Sequence, residues 1–193
     1  MLHQISETTE YLRKRGVTGA EAGIILGTGL GTLFTQAIKN PLVINYNSIP
    51  NFPAATVETH KGQLIFGEIH GKKVLAMHGR FHYYEGYSTK QITLPVRVMK
   101  MLGIGHLLIS NAAGSMNPNW KKGDLMLIDD HINLQPDNPL RGENFERLGP
   151  RFPDMSQPYS KTLNDALIGI AAKKKIKLNK GVYVCVAGPN LET

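Results

Sequence analysis

Ala22-Gly23-Ile24-Ile25-Leu26-Gly27-Thr28-Gly29-Leu30-Gly31 is a short apolar run that empties into a glycine loop. It has the pattern of a buried strand whose carboxyl end turns sharply. Glycines at 27, 29 and 31 free the backbone to approach an anion, and the amides of such a loop, with the Thr28 hydroxyl, are placed to donate to phosphate oxygens. The same residues also make a tight turn that holds nothing, and the segment alone leaves both readings open. It is not a dinucleotide fingerprint. Counting from Gly27 the third glycine falls on Thr32, counting from Gly29 it falls on Phe34, and the acidic residue about twenty positions on is replaced by Tyr46-Asn47-Ser48. A P-loop is excluded because the lysine and hydroxyl pair is missing.

Working outward, apolar spacing over residues 5–15 predicts a helix closed by Gly16. Strands are expected over 62–69 and 73–77, joined at His70-Gly71 as a hairpin. Ser88-Thr89-Lys90-Gln91 is a capping box leading into Ile92, Val96, Met99 and Leu102 at helical spacing, with Pro95 kinking that helix or marking its true start. Residues 106–110 read as a buried strand and 124–128 as another. The stretch 135–158 is rich in Pro, Gly, Asn, Asp and Arg but punctuated by Phe145, Phe152 and Met155, so it is an ordered loop rather than a linker. A helix over 160–175 and a strand over 182–186 complete the chain. The expected fold is α/β, a mixed, mostly parallel central sheet flanked by helices, forming a single domain over 1–193.

Composition narrows the function. The chain has 193 residues, 41% of them hydrophobic, enough for one substantial core. Its apolar runs are far too short to span a bilayer and its N-terminus lacks a leader pattern, so no membrane partner and a cytoplasmic location are expected. The net charge of +7 invites a nucleic-acid reading. Much of the excess, however, is Lys173, Lys174, Lys175, Lys177 and Lys180, which follow the apolar positions Leu163, Leu167, Ile170 and Ala171. That is the solvated end of an amphipathic helix, with cations near its C-terminal dipole. Nucleic acid is therefore not expected; a small anionic substrate is. The one cysteine, Cys185, lies in an apolar run and reads as a small buried hydrophobe.

In open α/β sheets ligands sit beyond the carboxyl ends of strands. That rule selects residues 27–31, 78–84, 111–114 and 188–193. In Met77-His78-Gly79-Arg80-Phe81-His82-Tyr83-Tyr84-Glu85-Gly86-Tyr87, Arg80 is a permanently charged fork, and His82 lies two residues on, facing the same way if the segment is extended. Two cations aimed together point to an oxyanion; a structural alternative pairs Arg80 with Glu85. Asn111-Ala112-Ala113-Gly114 either packs tightly or leaves room for a flat ligand. His60 is a surface histidine or a phosphate ligand on a loop, Phe152 a core plug or an aromatic lid, and Glu192 a terminal acid or a ligand contact.

Taken in order, Gly27-Thr28-Gly29-Leu30-Gly31, His60, residues 79–87, Pro95-Val96-Arg97, Asn111-Ala112-Ala113-Gly114, Asp130-His131-Ile132-Asn133-Leu134, Asn138-Pro139-Leu140-Arg141-Gly142, Arg151-Phe152-Pro153 and Ala187-Gly188-Pro189 resemble the trimeric purine nucleoside phosphorylases. The resemblance implies phosphorolysis. Inorganic phosphate attacks C1′ of a purine ribo- or deoxyribonucleoside through a transition state like a ribosyl oxocarbenium ion, giving free base and pentose 1-phosphate in purine salvage. Position by position, it implies Thr28, His60, Arg80, His82 and the Ala112 backbone around phosphate, and Tyr84 on the ribose. It implies Ala113, Gly114 and Glu192 at the purine, with Glu192 on the N1 side of a 6-oxopurine. Phe152 would reach the site of a neighbouring subunit, hence a homotrimer. No metal or organic cofactor is implied; phosphate is the co-substrate.

Departures from the family pattern carry expectations of their own. Thr28 stands where the family has serine and keeps the hydroxyl; His78 stands where it has glutamine; Leu191 replaces an aromatic, which weakens stacking on the base. The family continues past Glu192-Thr193, so the chain is expected to lack the C-terminal part of the fold and to leave a sheet edge and apolar faces uncovered. A methylthioadenosine phosphorylase shares the fold and phosphate site, although Asn111-Ala112-Ala113-Gly114 and Asp130-His131-Ile132-Asn133 favour the nucleoside enzymes. A reading of another class is a catalytically incomplete fragment that binds phosphate without turnover.

Overall fold

A computed structural model describes residues 1–53 and 62–190. The chain forms two compact units, Met1–Ala113 with Pro139–Leu148, and Gly114–Asn138 with Gly149–Thr193.

The first unit opens with α1 (Leu2–Lys14), which buries Ile5, Thr8, Thr9 and Leu12, one stripe at helical spacing. Its two threonines are not orphaned: Thr8 donates to Pro50 O at 2.7 Å and Thr9 to Ile5 O at 2.7 Å. Gly16, at φ +95°, turns the chain out of the helix. Then follow β1 (Ala22–Ile25), α2 (Leu30–Ala37), β2 (Lys39–Asn45), β3 (Gln63–Ile69), β4 (Lys72–His78), α3 (Thr89–Ile92), α4 (Leu94–Met101) and β5 (His106–Ile109). The sheet order is β2-β3-β4-β1-β5. β1 lies parallel to both β4 and β5, while β3 is antiparallel to β2 and β4. The carboxyl ends of β4, β1 and β5 are therefore neighbours.

Apolar residues alternate along β4, so both faces of the sheet are covered. Leu75 and Met77 join Ile5, Leu12, Ile25, Leu64 and Val98 on the side of α1 and α4. Val74 and Ala76 join Leu26, Phe34, Ile38 and Ile65 on the side of α2. Each fully buried aliphatic side chain contributes roughly 1.5–3 kcal/mol of transfer free energy. The hairpin turn holds His70 at φ +49° and Gly71 at φ +78°, a pair of left-handed residues that suits a two-residue loop. Ser88 accepts from Gln91 N and Gln91 reaches back to Ser88 N, as the capping box requires. The helix breaks at Thr93, and Pro95 sits in the first turn of α4, where its missing N–H costs nothing.

The second unit is a β-α-β crossover of β6 (Leu125–Asn133), α5 (Lys161–Lys173) and β7 (Leu178–Cys185), with β6 and β7 parallel. Ser160 caps α5 by accepting from Leu163 N at 3.3 Å. Asn164 donates to Ile128 O at 3.3 Å, beside the register shift at Ile128/Asp130. Leu125, Ile132, Val182 and Val184 are exposed. Among the described residues no helix is long and apolar enough to cross a membrane.

Two expectations are corrected, and two elements are new. Residues 106–110 do form a strand, but not a buried one: β5 is the last strand of its sheet, and Ile109 is 60% exposed. Cys185 is only half-buried and takes a contact from Gln135 Nε2 at 3.2 Å. α2 and β2 were not anticipated. α2 lacks a side-chain cap and starts from Gly29 at φ +84°, and β2 carries Asn40 at φ +49° and Pro41 beside a register shift.

Candidate active site

Three strand ends build the site. Leu26 N bonds to Met77 O at 3.2 Å, carrying β1 one residue beyond its formal end alongside β4. The chain then enters the glycine loop. Gly27 is buried, and its N–H donates to Ser110 Oγ at 2.8 Å. A Cβ at Gly27 would lie 2.9 Å from Ser110 O and 3.1 Å from Asn111 Cα, so only glycine fits between these two backbones. Thr28, next in the chain, is exposed, and α2 starts two residues later.

The chain beyond β4 carries Arg80 and His82. After His78 the chain turns at Gly79, φ +108°, and Gly79 O accepts from the buried Tyr46 hydroxyl at 2.7 Å. Burial pushes the Tyr46 phenol pKa up, well above its ordinary value, so the phenol stays a donor. Tyr46 is itself packed against Phe52 and Phe81, at ring-centroid distances of 5.4 Å and 5.2 Å. An aromatic cluster thus fixes the turn from which Arg80 projects.

Arg80 does not pair with Glu85. Its Nη1 donates to Ser110 O at 2.9 Å and its Nε to His82 Nε2 at 2.9 Å. Glu85, whose side chain is 4% exposed, instead accepts from His82 N at 2.8 Å and lies 2.5 Å from His82 Nδ1. The His82 N to Glu85 Oε1 bond is one half of the capping box of a single 3-10 turn, Tyr83–Glu85; in the other half the His82 side chain accepts from the Glu85 backbone N–H. Tyr84 stacks on His82, with ring centroids 4.9 Å apart and planes 13° from parallel. Arg80, His82 and Tyr84 thus form one connected array.

β5 supplies Ser110, then Asn111, Ala112 and Ala113, all three exposed, so the tight-packing alternative for this segment does not hold. Ser110 joins the three strand ends: its hydroxyl holds the glycine loop and its carbonyl holds Arg80. Sequence reasoning missed it. The signal was a hydroxyl residue closing an apolar run, but its partners lie 83 and 30 positions away in the chain.

His60 and Glu192 lie outside the described residues. Gly114 and Phe152 belong to the second unit. Phe152 is 86% exposed, so it is not a core plug. In the first unit Arg97 donates to Pro139 O at 2.8 Å, tying α4 to the Pro139–Leu148 segment, and burial draws its pKa down. In the second, His131 meets Tyr159 edge to face at 5.7 Å. Among the described residues no group of three or more His, Cys, Asp or Glu is arranged to hold a metal ion.

Comparison with known proteins adds independent findings. The family model of the phosphorylase superfamily matches residues 21–193. Purine nucleoside phosphorylase 1 of Geobacillus stearothermophilus is 48% identical over 98% of this chain and 69% of its own length. The Bacillus subtilis (strain 168) protein of the same name is 47% identical over 100% of this chain and 71% of its own. The crystal structure of isoform 2 of purine nucleoside phosphorylase from Schistosoma mansoni, in complex with cytosine and ribose-1-phosphate, matches with a TM-score of 0.91 at 42% identity. That match covers 99% of this chain and 68% of that one. The Schistosoma mansoni enzyme in complex with adenosine matches with a TM-score of 0.90 at 41% identity.

Proposed function

The chain belongs to the phosphorylase superfamily, among the purine nucleoside phosphorylases, and from that premise we propose that it cleaves the N-glycosidic bond of purine nucleosides with inorganic phosphate. An oxygen of phosphate bonds to C1′ as the C1′–N9 bond breaks. The bonding pair leaves with the purine, which takes up a proton, and the products are free base and pentose 1-phosphate.

The observation that carries this reading is the convergence of the Gly27–Thr28 loop, Arg80, His82 and Ser110 at adjacent strand ends. Thr28, Arg80, His82 and the Ala112 backbone hold phosphate, with His60 joining them. Preorganised donors of this kind favour a transition state in which a cationic sugar lies beside the anion. Tyr84, placed by its stack on His82, contacts the ribose. Ala113, Gly114 and Glu192 receive the purine. An exposed Phe152 suits an aromatic that closes the site of a neighbouring copy in a homotrimer. The superfamily match runs across both compact units, and in this reading they are parts of one family domain.

The test is release of hypoxanthine from inosine by the 193-residue chain, with phosphate present and then omitted. Phosphate-dependent release is expected. Equal release without phosphate would overturn phosphorolysis in favour of hydrolysis, and binding of phosphate without any release would assign the chain to the catalytically incomplete class. Methylthioadenosine, run in parallel, is expected to be the poorer substrate.

A further inference from the structure

His78 closes β4 and is paired in register with Gln63, the first residue of β3. Side chains alternate along β4, so His78 extends the row of Val74 and Ala76 that faces α2. On α2 the buried positions are Gly31 and Phe34, and Ile38 just beyond its end continues the stripe at spacings of three and four. Phe34 and Ile38 pack on Val74 and Ala76, and Gly31 meets His78 one step up. A Cβ on Gly31 would fall 2.5 Å from His78 Cδ2 and 2.7 Å from Cε1, and would overlap Nε2. The imidazole therefore occupies the space that any other residue at 31 would need. Its Nδ1 is sealed from solvent.

We propose that His78 is a positioning residue for the anion site, its imidazole seated in the notch at Gly31 and thereby fixing the first turn of α2 and the glycine loop that leads into it. No group in the capture of phosphate described above includes His78. Its influence runs through Gly31, three residues from Thr28 and four from the Gly27 amide. Ser110 anchors the start of the loop through Gly27 N, and His78 bounds its end at Gly31. Between these two points lie Thr28, Gly29 and Leu30, the residues whose amides and hydroxyl must hold a fixed geometry around an anion. Glycine at 31 has here a meaning beyond backbone freedom. It accommodates a ring presented by the neighbouring strand.

The inference rests on the phosphate reading of the loop, and the experiment separates the two. Dissociation constants for inorganic phosphate are measured by calorimetry on the wild-type chain and on G31A, H78A, H78Q and the double variant G31A/H78A, with a thermal melt of each. Expected are a measurable wild-type affinity, a loss of about tenfold or more in G31A, the scale of one lost hydrogen bond to a charged group, and a smaller loss in H78A. H78Q refills the notch and recovers most of the affinity, and G31A/H78A binds better than G31A because the overlapping ring is gone. Should G31A fail to fold, H78A against H78Q still decides the matter. Wild-type affinity in H78A would overturn the proposal, as would a folded double variant no better than a folded G31A. A purely structural role would lower the melting temperatures and leave the affinity of the folded protein unchanged, which also overturns it. Absence of phosphate binding by the folded wild-type chain would instead defeat the phosphate reading itself, and the inference with it.

Discussion

Arg80 Nε lies 2.9 Å from His82 Nε2 and donates to it, and on the far side of the same ring His82 Nδ1 lies 2.5 Å from Glu85 Oε1, so the imidazole is held between a guanidinium and a carboxylate. Arg80 has a second anchor on Ser110 O at 2.9 Å, so in the proposed phosphate site Arg80 and His82 act as one joined pair.

Arg80→Lys is expected to cost more than a charge-conserving change usually does. A lysine has no fork, so it is unable to hold Ser110 O and His82 Nε2 together while aiming at an anion. The expected outcome is a loss of roughly a hundredfold in kcat/KM for phosphate, the scale of a misplaced catalytic group. Steady-state rates at varied phosphate check it, and an unchanged value would remove Arg80 from the site.

Glu85→Gln tests the other side of His82. The amide oxygen still accepts from His82 N, now 2.8 Å from Glu85 Oε1, so the 3-10 turn survives. The same oxygen still faces His82 Nδ1, and only the negative charge is lost. Turnover should fall by about tenfold or more with little change in melting temperature, since the geometry is kept and the charge behind His82 is not. Equal losses of stability and activity would mark Glu85 as a structural cap only.

Ser110→Ala leaves the buried Gly27 N–H without the acceptor it now has at 2.8 Å. An unsatisfied buried donor costs about 1–3 kcal/mol, so denaturant midpoints should shift accordingly, and phosphate affinity should fall with them. Ser110→Thr keeps the hydroxyl and is expected to restore both. A variant S110A as stable as the wild type would show that water replaces the hydroxyl at Gly27.

Strand ends were legible in the sequence because glycine, charge and apolar runs mark them locally. The β1 run and its loop, the His70-Gly71 turn, the Ser88–Gln91 box and the Pro95 helix start each depend on residues a few positions apart. What depends on partners far along the chain was not legible. The apolar run of β5 announces a strand but not its place beside β1 at the end of the sheet order. Ser110 and the Gly31–His78 contact were hidden for the same reason. β2 was hidden differently, since Asn40 and Pro41 lower any expectation of a strand and the register shift that accommodates them is a tertiary event.

In the second unit Ser160→Ala removes the one side-chain acceptor at the start of α5, now 3.3 Å from Leu163 N. The expected cost is about 1 kcal/mol. Because Asn164, one turn into the helix, reaches Ile128 O at 3.3 Å, amide exchange should quicken in α5 and around Ile128 while α1 stays protected. Uniform acceleration across both units would refute a local effect.

Alkaline pH offers a test of the support beneath Arg80. The Tyr46 phenol, hydrogen-bonded to Gly79 O at 2.7 Å, has its pKa raised by burial above the ordinary 10.0. The unfolded chain therefore gives up this proton above about pH 10, while the folded chain retains it, and stability falls as pH rises through that range. Below it the contribution is complete. Tyr46→Phe removes both the hydrogen bond and the titration: it should lower stability at neutral pH by about 1–2 kcal/mol and flatten the alkaline decline. Denaturant melts of both proteins between neutral and alkaline pH supply the comparison. Parallel decline in the two would place the alkaline sensitivity elsewhere, whereas convergence of their stabilities above pH 10 would show that the phenol proton holds the turn presenting Arg80.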